Sequence, residues 1–72
     1  MEWIEIKRNK DGIASKECLN EIFNNELIVV REVVVHRNSV HYIALQKKEY
    51  KYMYRYIKTN DIYTHYLPIP KV

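Results

Sequence analysis

The sequence predicts an α+β fold: a short N-terminal strand, one short amphipathic helix, then an antiparallel β-meander of three to four strands. Three observations support this prediction. Leu19, Ile22 and Phe23 have the i, i+3, i+4 spacing of a buried helical stripe. Valine- and isoleucine-rich stretches follow at 26–37 and 40–46, as is typical of strands. Tyrosine then recurs at every second position from 50 to 56. We expect residues 1–72 to form a single small domain.

The N-terminal elements are short. Residues 3–8 alternate between two faces and predict a strand, and the turn at 9–12 contains the only glycine of the chain. Ser15 is a suitable N-cap for a helix over 16–24, with Glu17 in the first turn, where the helix dipole favours an anion. Two asparagines follow and end the helix, because asparagine tolerates a left-handed C-cap.

Consecutive hairpins are expected after the helix. The alternation of the strand at 26–37 is interrupted at Arg31 and Glu32, which predicts a bend or bulge there. A two-residue loop at 38–39 would pair His36 with His41. The last strand spans 62–67, and Pro68 and Pro70 end it because proline cannot donate to a ladder.

The nine residues YKYMYRYIK, at 50–58, are predicted to form a strand of that sheet. Side chains alternate across a strand, so one face would carry all four rings: Tyr50, Tyr52, Tyr54 and Tyr56. The other face would carry a mixed apolar and cationic row: Lys51, Met53, Arg55 and Ile57. Pairing with the last strand adds Tyr63, His65 and Leu67 to the tyrosine face.

One helix is too small to cover both faces of such a sheet. Either the tyrosine face is the core and the Met53, Arg55, Ile57 face is open, or the reverse. An exposed apolar face of this kind usually marks a partner site. The structural alternative is that the tyrosines pack against the helix and point their hydroxyl groups to the rim.

Positive charge is concentrated in the second half. The net charge is +3, with five basic against seven acidic residues up to residue 32, and seven against two from residue 33 on. This distribution argues against acidic mimicry of DNA.

The leading hypothesis is a small non-enzymatic binding protein, either a homodimer or a phage- or virus-type inhibitor or regulator. Its aromatic and basic sheet face would dock on a protein partner or on a second copy. The binding residues are predicted to be Tyr50, Tyr52, Tyr54, Arg55, Tyr56, Lys58 and Tyr63. The alternative is a nucleic-acid-binding protein that uses the same face. Its phosphate contacts would be Lys47, Lys48, Lys51, Arg55 and Lys58.

No motif indicates catalysis, a metal, a cofactor or a small-molecule substrate. His36 and His41 would make only half a metal site, since His65 belongs to another hairpin. Cys18, the only cysteine, is predicted to be a small buried residue of the helix without a histidine base. We therefore predict neither catalytic nor metal-binding residues.

We expect a cytoplasmic protein without membrane contact. A lone cysteine suits a reducing compartment, and no secretory signal or membrane-length apolar run is present. The composition, rich in Lys, Asn, Ile and Tyr, resembles that of small phage, prophage or archaeal-virus proteins from A+T-rich genomes. The resemblance implies an intracellular setting, such as a virus-infected host cell, and assigns no residue a role.

Overall fold

The computed structural model describes residues 2–69, in which four antiparallel strands form one sheet and two helices pack on it. The elements in chain order are β1 (Ile4–Glu5), α1 (Lys16–Asn24), β2 (Leu27–Val34), β3 (Ser39–Gln46), α2 (Tyr50–Thr59) and β4 (Tyr63–Pro68). The predicted α+β class, with its short first strand, helix and antiparallel sheet, is confirmed.

Helix α1 has the predicted bounds, and its N-cap explains why. The Ser15 Oγ accepts a hydrogen bond of 3.1 Å from the backbone N–H of Cys18. Leu19 and Ile22 are buried, as the stripe predicts, and Cys18 is also buried. The C-terminus differs from the prediction, because Asn25 is extended (φ −92°) rather than left-handed.

The predicted tyrosine strand is wrong: these residues form helix α2. Beneath the period of two lies a helical stripe of Tyr50, Met53, Tyr54 and Ile57, at i, i+3, i+4 and i+7. A capping box precedes the helix, in which Glu49 accepts a 3.1 Å hydrogen bond from the backbone N–H of Gln46. Tyrosine's β-propensity is too small to oppose these signals in a stretch otherwise rich in helix formers.

The β2–β3 hairpin has a different register from the predicted one. Val34 pairs with Ser39 and Glu32 with His41, so His36 does not face His41. Residues 35–38 form a longer loop, a single 3₁₀ turn that ends at Asn38 in the left-handed conformation (φ 50°). The predicted irregularity at Arg31 and Glu32 is confirmed as a register shift in the β2–β4 pairing.

The strand order is β1-β4-β2-β3, so the consecutive strands β3 and β4 are not neighbours. Helix α2 separates them and carries the chain across one face of the sheet. β4 then pairs with both β2 and β1, which makes β2 and β4 the central strands. β4 begins and ends one residue later than the predicted 62–67, and its last residue, Pro68, still lies opposite Ile28. Pro70 lies outside the described residues.

Arg8 connects the beginning of the described chain to its end. Its Nη2 donates to the carbonyl oxygens of Ile57, Asn60 and Tyr63, at 2.7, 2.8 and 2.9 Å. Its Nη1 donates to the carbonyl oxygens of Gly12 and Lys58, at 2.9 and 3.1 Å. Burial lowers the pKa of Arg8, while the Asp61 carboxylate opposes that shift. The guanidinium therefore caps the C-terminus of α2 and fixes it to β4 and to the turn at 9–12.

Candidate binding surfaces

The two faces of the sheet differ in what covers them. Ile28 and Val30 of β2 point toward the helices, where they are fully buried. They belong to the hydrophobic core, which lies between the sheet and the two helices and also includes two residues from the segment between β1 and α1. Its members are Ile6, Ala14, Leu19, Ile22, Ile28, Val30, Leu45, Tyr50, Ile57, Tyr63 and Tyr66. The intervening residues of β2 point the other way, and within residues 2–69 no helix lies over them. We call this second side the open sheet face.

Strand pairing defines the residues of the open sheet face. One row across all four strands contains Glu5, His65, Arg31 and Tyr42. A parallel row contains Leu67, Val29 and Ala44, and a third contains Val33 and Val40. The face therefore combines an apolar surface with one acidic and one basic side chain.

Two aromatic rings meet above this face. Trp3, just before β1, and Tyr42, on β3, come from opposite edges of the sheet, yet their ring centroids are 5.5 Å apart. Both rings keep much of their surface in solvent, with 39% of Trp3 and 61% of Tyr42 exposed. Tryptophan and tyrosine exposed in this way are the residues most enriched at protein–protein hot spots.

The guanidinium group of Arg31, on the open sheet face, has a nitrogen that lacks a hydrogen-bond partner among the described residues. Its Nε is buried but has no hydrogen-bond partner within the described part of the chain. Its neighbours in the row, His65 and Tyr42, provide no carboxylate, and Glu5 lies one strand beyond His65. Because the Nε is shielded from solvent, a carboxylate from another molecule would pair with the terminal Nη groups of this partly buried side chain, and this charge-assisted pairing would stabilise a guanidinium that has no carboxylate beside it in the row.

The predicted binding residues lie on α2 or in the core, so the predicted tyrosine sheet face does not form. Tyr50 is buried, and its hydroxyl donates to the Asn25 carbonyl oxygen at 2.6 Å. Tyr63 is also buried, and burial, together with the Glu32 carboxylate, raises its pKa. Tyr54 packs against Phe23, with ring centroids 4.9 Å apart. These three rings are mainly structural.

The outward side of α2 brings the other predicted residues together. Tyr52 and Tyr56 are exposed there, as are Lys51 and Arg55. With Thr59 they line one shallow depression, and we call these five residues the basic aromatic surface. Lys51 Nζ lies 5.2 Å from the centre of the Tyr52 ring, within the range of a cation–π contact.

The remaining predicted cations flank the basic aromatic surface. Lys58 Nζ lies 5.8 Å from the centre of the Tyr54 ring. Lys47 forms an ion pair with Glu26 at 3.9 Å, which leaves it less available than the exposed Lys48. A groove of about 470 Å³ beside them is lined by Phe23, Lys47, Tyr50, Lys51 and Tyr54. Lys51 borders both this groove and the basic aromatic surface.

Across residues 2–69, no three histidine, cysteine, aspartate or glutamate side chains gather as metal ligands would. The predicted burial of Cys18 is confirmed, and its Sγ lies 3.9 Å from the Glu5 carbonyl oxygen. None of the helices formed by residues 2–69 has the length and apolarity required to span a membrane.

Sequence reasoning missed the open sheet face because its residues are dispersed along the chain. The alternating Val29, Arg31 and Val33 in β2 were a usable signal. No sequence signal links Trp3 to Tyr42, because the contact between their rings depends on the strand order. No protein-family model, curated protein or solved structure matches the chain, so the assignment of both surfaces depends on physical argument.

Proposed function

We propose that the protein is a non-enzymatic binding protein whose open sheet face docks on a second copy of the same chain. The observation that carries this proposal is the row of Glu5, His65 and Arg31, in which Arg31 has a buried Nε without an acceptor. The row offers both a guanidinium group with no carboxylate beside it and, on another strand, a carboxylate that could pair with that group in a second copy.

The spacing of this row is self-complementary. Glu5 and Arg31 lie on the strands that flank His65, each about 4.8 Å from it in the direction of strand pairing. A two-fold axis along β4, between two facing sheets, would place Glu5 of each copy opposite Arg31 of the other. Sheets pack about 10 Å apart, a gap that glutamate and arginine side chains together can bridge. One symmetric contact thus satisfies both guanidinium groups.

The rest of the face suits the same contact. Val29, Val33 and Leu67 supply apolar surface around the charged row, and Trp3 and Tyr42 supply large rings. Such a surface, with aromatic residues and arginine at its centre, is typical of protein interfaces. A chain of 72 residues also gains stability from association, because its own core is small.

The experiment uses charge reversal at the two residues. We expect light scattering after size exclusion to give a dimer mass for the wild type at tens of micromolar. Glu5→Arg and Arg31→Glu should each give monomers, since each places two like charges opposite one another. The double variant should restore the dimer, because the pair is then exchanged rather than lost. Arg37→Glu, at the hairpin tip, is the matched control and should remain dimeric.

Two results would contradict the proposal. The first is a wild-type monomer at all concentrations, which would leave the face to a different protein. The second is a dimer that neither single reversal weakens, which would place the contact elsewhere. Circular dichroism of each variant separates loss of association from loss of folding.

A further inference from the structure

We propose that the basic aromatic surface of α2 binds single-stranded nucleic acid, with cations on phosphates and tyrosine rings on unpaired bases. This site goes beyond self-association and uses the opposite side of the molecule. The open sheet face is the side without helices, so a dimer formed there keeps both α2 helices accessible.

The charge of α2 favours a polyanion. The helix contains Lys51, Arg55 and Lys58 and no aspartate or glutamate. Lys47 and Lys48 precede it, accompanied by Glu49, whose side chain accepts from the Gln46 backbone. The positive charge is thus local and lies on one exposed element, which is the arrangement that attracts phosphate groups.

The rings provide the second part of the site. Tyr52 and Tyr56 are 68% and 58% exposed and lie one helical turn apart, about 6 Å along the axis. The ring of Tyr56 contacts no other aromatic ring or cation within residues 2–69, and with 58% of the residue exposed it can accept a stacked base. Exposed tyrosines beside phosphate-binding cations are how proteins hold single strands without reading their sequence.

Two other polyanionic partners fit the surface less well. A duplex keeps its bases stacked, so it would use the cations and leave the rings of Tyr52 and Tyr56 without partners. A membrane surface would require an apolar side of α2 to insert among the lipids. That side is occupied, because Ile57 is fully buried and Met53 packs against the core.

The probe is a fluorescein-labelled oligothymidylate of about 12 nucleotides, titrated with the full chain at about 50 and 200 mM salt. We expect a salt-dependent rise in anisotropy, with each contacted phosphate adding about 0.7 to the slope of log K against log salt. Arg55→Ala should weaken binding and lower this slope by about 0.7. Tyr56→Ala should weaken binding about tenfold and leave the slope unchanged, because stacking releases no counterions.

Matched controls lie outside the surface. Arg37→Ala removes the same charge at the hairpin tip, and Tyr42→Ala removes a similarly exposed ring from the open sheet face. Both should bind the oligonucleotide as the wild type does. Because the Glu5 and Arg31 reversals test the dimer and leave α2 unchanged, failure of one proposal is distinguishable from failure of the other.

The proposal is overturned if no anisotropy change occurs at 50 mM salt with about 100 μM protein. It is also overturned if the controls weaken binding as much as Tyr56→Ala and Arg55→Ala do. Equal affinity for a 12-base-pair duplex, unaffected by Tyr56→Ala, would replace it with duplex binding. Co-sedimentation with phosphatidylserine vesicles in the absence of any oligonucleotide binding would replace it with a membrane surface.

Discussion

Adjacent residues of one strand have opposite environments in this protein. Val30 is fully buried beneath the two helices, whereas Val29, the residue before it, points to the open sheet face. Tyr66 of β4 is also fully buried, whereas its neighbour Leu67 is only partly covered. Within residues 2–69 both helices pack on the covered face, whereas no helix covers the open sheet face, which combines apolar and aromatic side chains with one acidic and one basic residue. An antiparallel sheet can leave one face in solvent, so the apolar and aromatic side chains on this face, rather than the missing layer, are what support the proposed contact.

The largest expected effect comes from removing the clamp that holds α2 on the covered face. Arg8→Ala removes the guanidinium donor from the carbonyl oxygens of Gly12, Ile57, Lys58, Asn60 and Tyr63. The oxygens of Lys58 and Asn60 keep a backbone donor, the N–H groups of Ala14 and Tyr63. We expect a loss of about 3 kcal/mol in the free energy of unfolding, since several part-buried acceptors lose a charged donor together. Urea denaturation measures it. Arg8→Lys should recover less than half, because an ammonium group cannot reach acceptors spread around a planar fork. A loss below about 1 kcal/mol in Arg8→Ala would contradict the clamp.

A matched pair of valines tests the difference between the faces directly. Val30→Ala should cost about 2 kcal/mol, because it leaves a cavity in the core. Val29→Ala should cost less than about 1 kcal/mol in the monomer, where the side chain is only partly buried. If the open sheet face forms a dimer, the Val29→Ala cost should grow with protein concentration, whereas the Val30→Ala cost stays constant. Thermal unfolding at two protein concentrations measures the cost of each substitution. If Val29→Ala and Val30→Ala cost the same at both concentrations, the two faces of the sheet do not differ as we describe.

The smallest effect at neutral pH is expected for Tyr66→Phe. The Tyr66 hydroxyl is buried without a hydrogen bond from or to the described residues, so its removal should leave stability unchanged or slightly higher. Burial raises the pKa of Tyr66, and the nearby Glu21 carboxylate acts in the same direction. In the unfolded chain tyrosine ionises near pH 10, whereas the folded protein keeps Tyr66 protonated above that pH. The contribution of Tyr66 to wild-type stability is therefore fully present below about pH 10 and is lost as the pH rises further.

Burial also raises the pKa of Tyr50 and of Tyr63, so the part of the alkaline fall that belongs to Tyr66 is the part that Tyr66→Phe removes. Urea denaturation between pH 8 and 11 should show a shallower fall for Tyr66→Phe than for the wild type. Tyr50→Phe is the matched control, because the Tyr50 hydroxyl donates at 2.6 Å to the Asn25 carbonyl oxygen. That variant should lose about 1 kcal/mol already at neutral pH. If Tyr66→Phe lost as much at pH 7, its hydroxyl would have a partner after all.

The sequence predicts some elements well because independent signals coincide in them. In α1 a serine N-cap, an acidic first turn and an apolar stripe all indicate the same nine residues. In α2 two periods overlap: the four tyrosines alternate, but Tyr50, Met53 and Ile57 also follow a helical stripe. The helix forms because its buried side completes the core, which single-sequence spacing does not reveal. The capping box formed by Gln46 and Glu49, just before α2, is a local sequence signal that favours a helix here.

The two surfaces differ in how much of them was predictable. Lys51, Tyr52, Arg55 and Tyr56 are close in sequence, so the sequence alone identifies them as candidates. A strand would place the two cations on the face opposite the two rings, whereas helix α2 brings all four to one side. The open sheet face requires residues from four strands, and its composition follows only from the strand order. Arg8 left no signal at all, because its acceptors are backbone carbonyl groups, which every sequence offers.

The clamp also has a kinetic consequence. Four of the five Arg8 acceptors lie 49 to 55 residues further along the chain, at Ile57, Lys58, Asn60 and Tyr63. The β2–β3 hairpin, by contrast, closes over a four-residue loop. Long loops close late, so the hairpin and α1 are expected to form while Arg8 still lacks its acceptors. The contact that most restrains the finished fold is then among the last to form, and it adds to the barrier against unfolding more than it speeds folding.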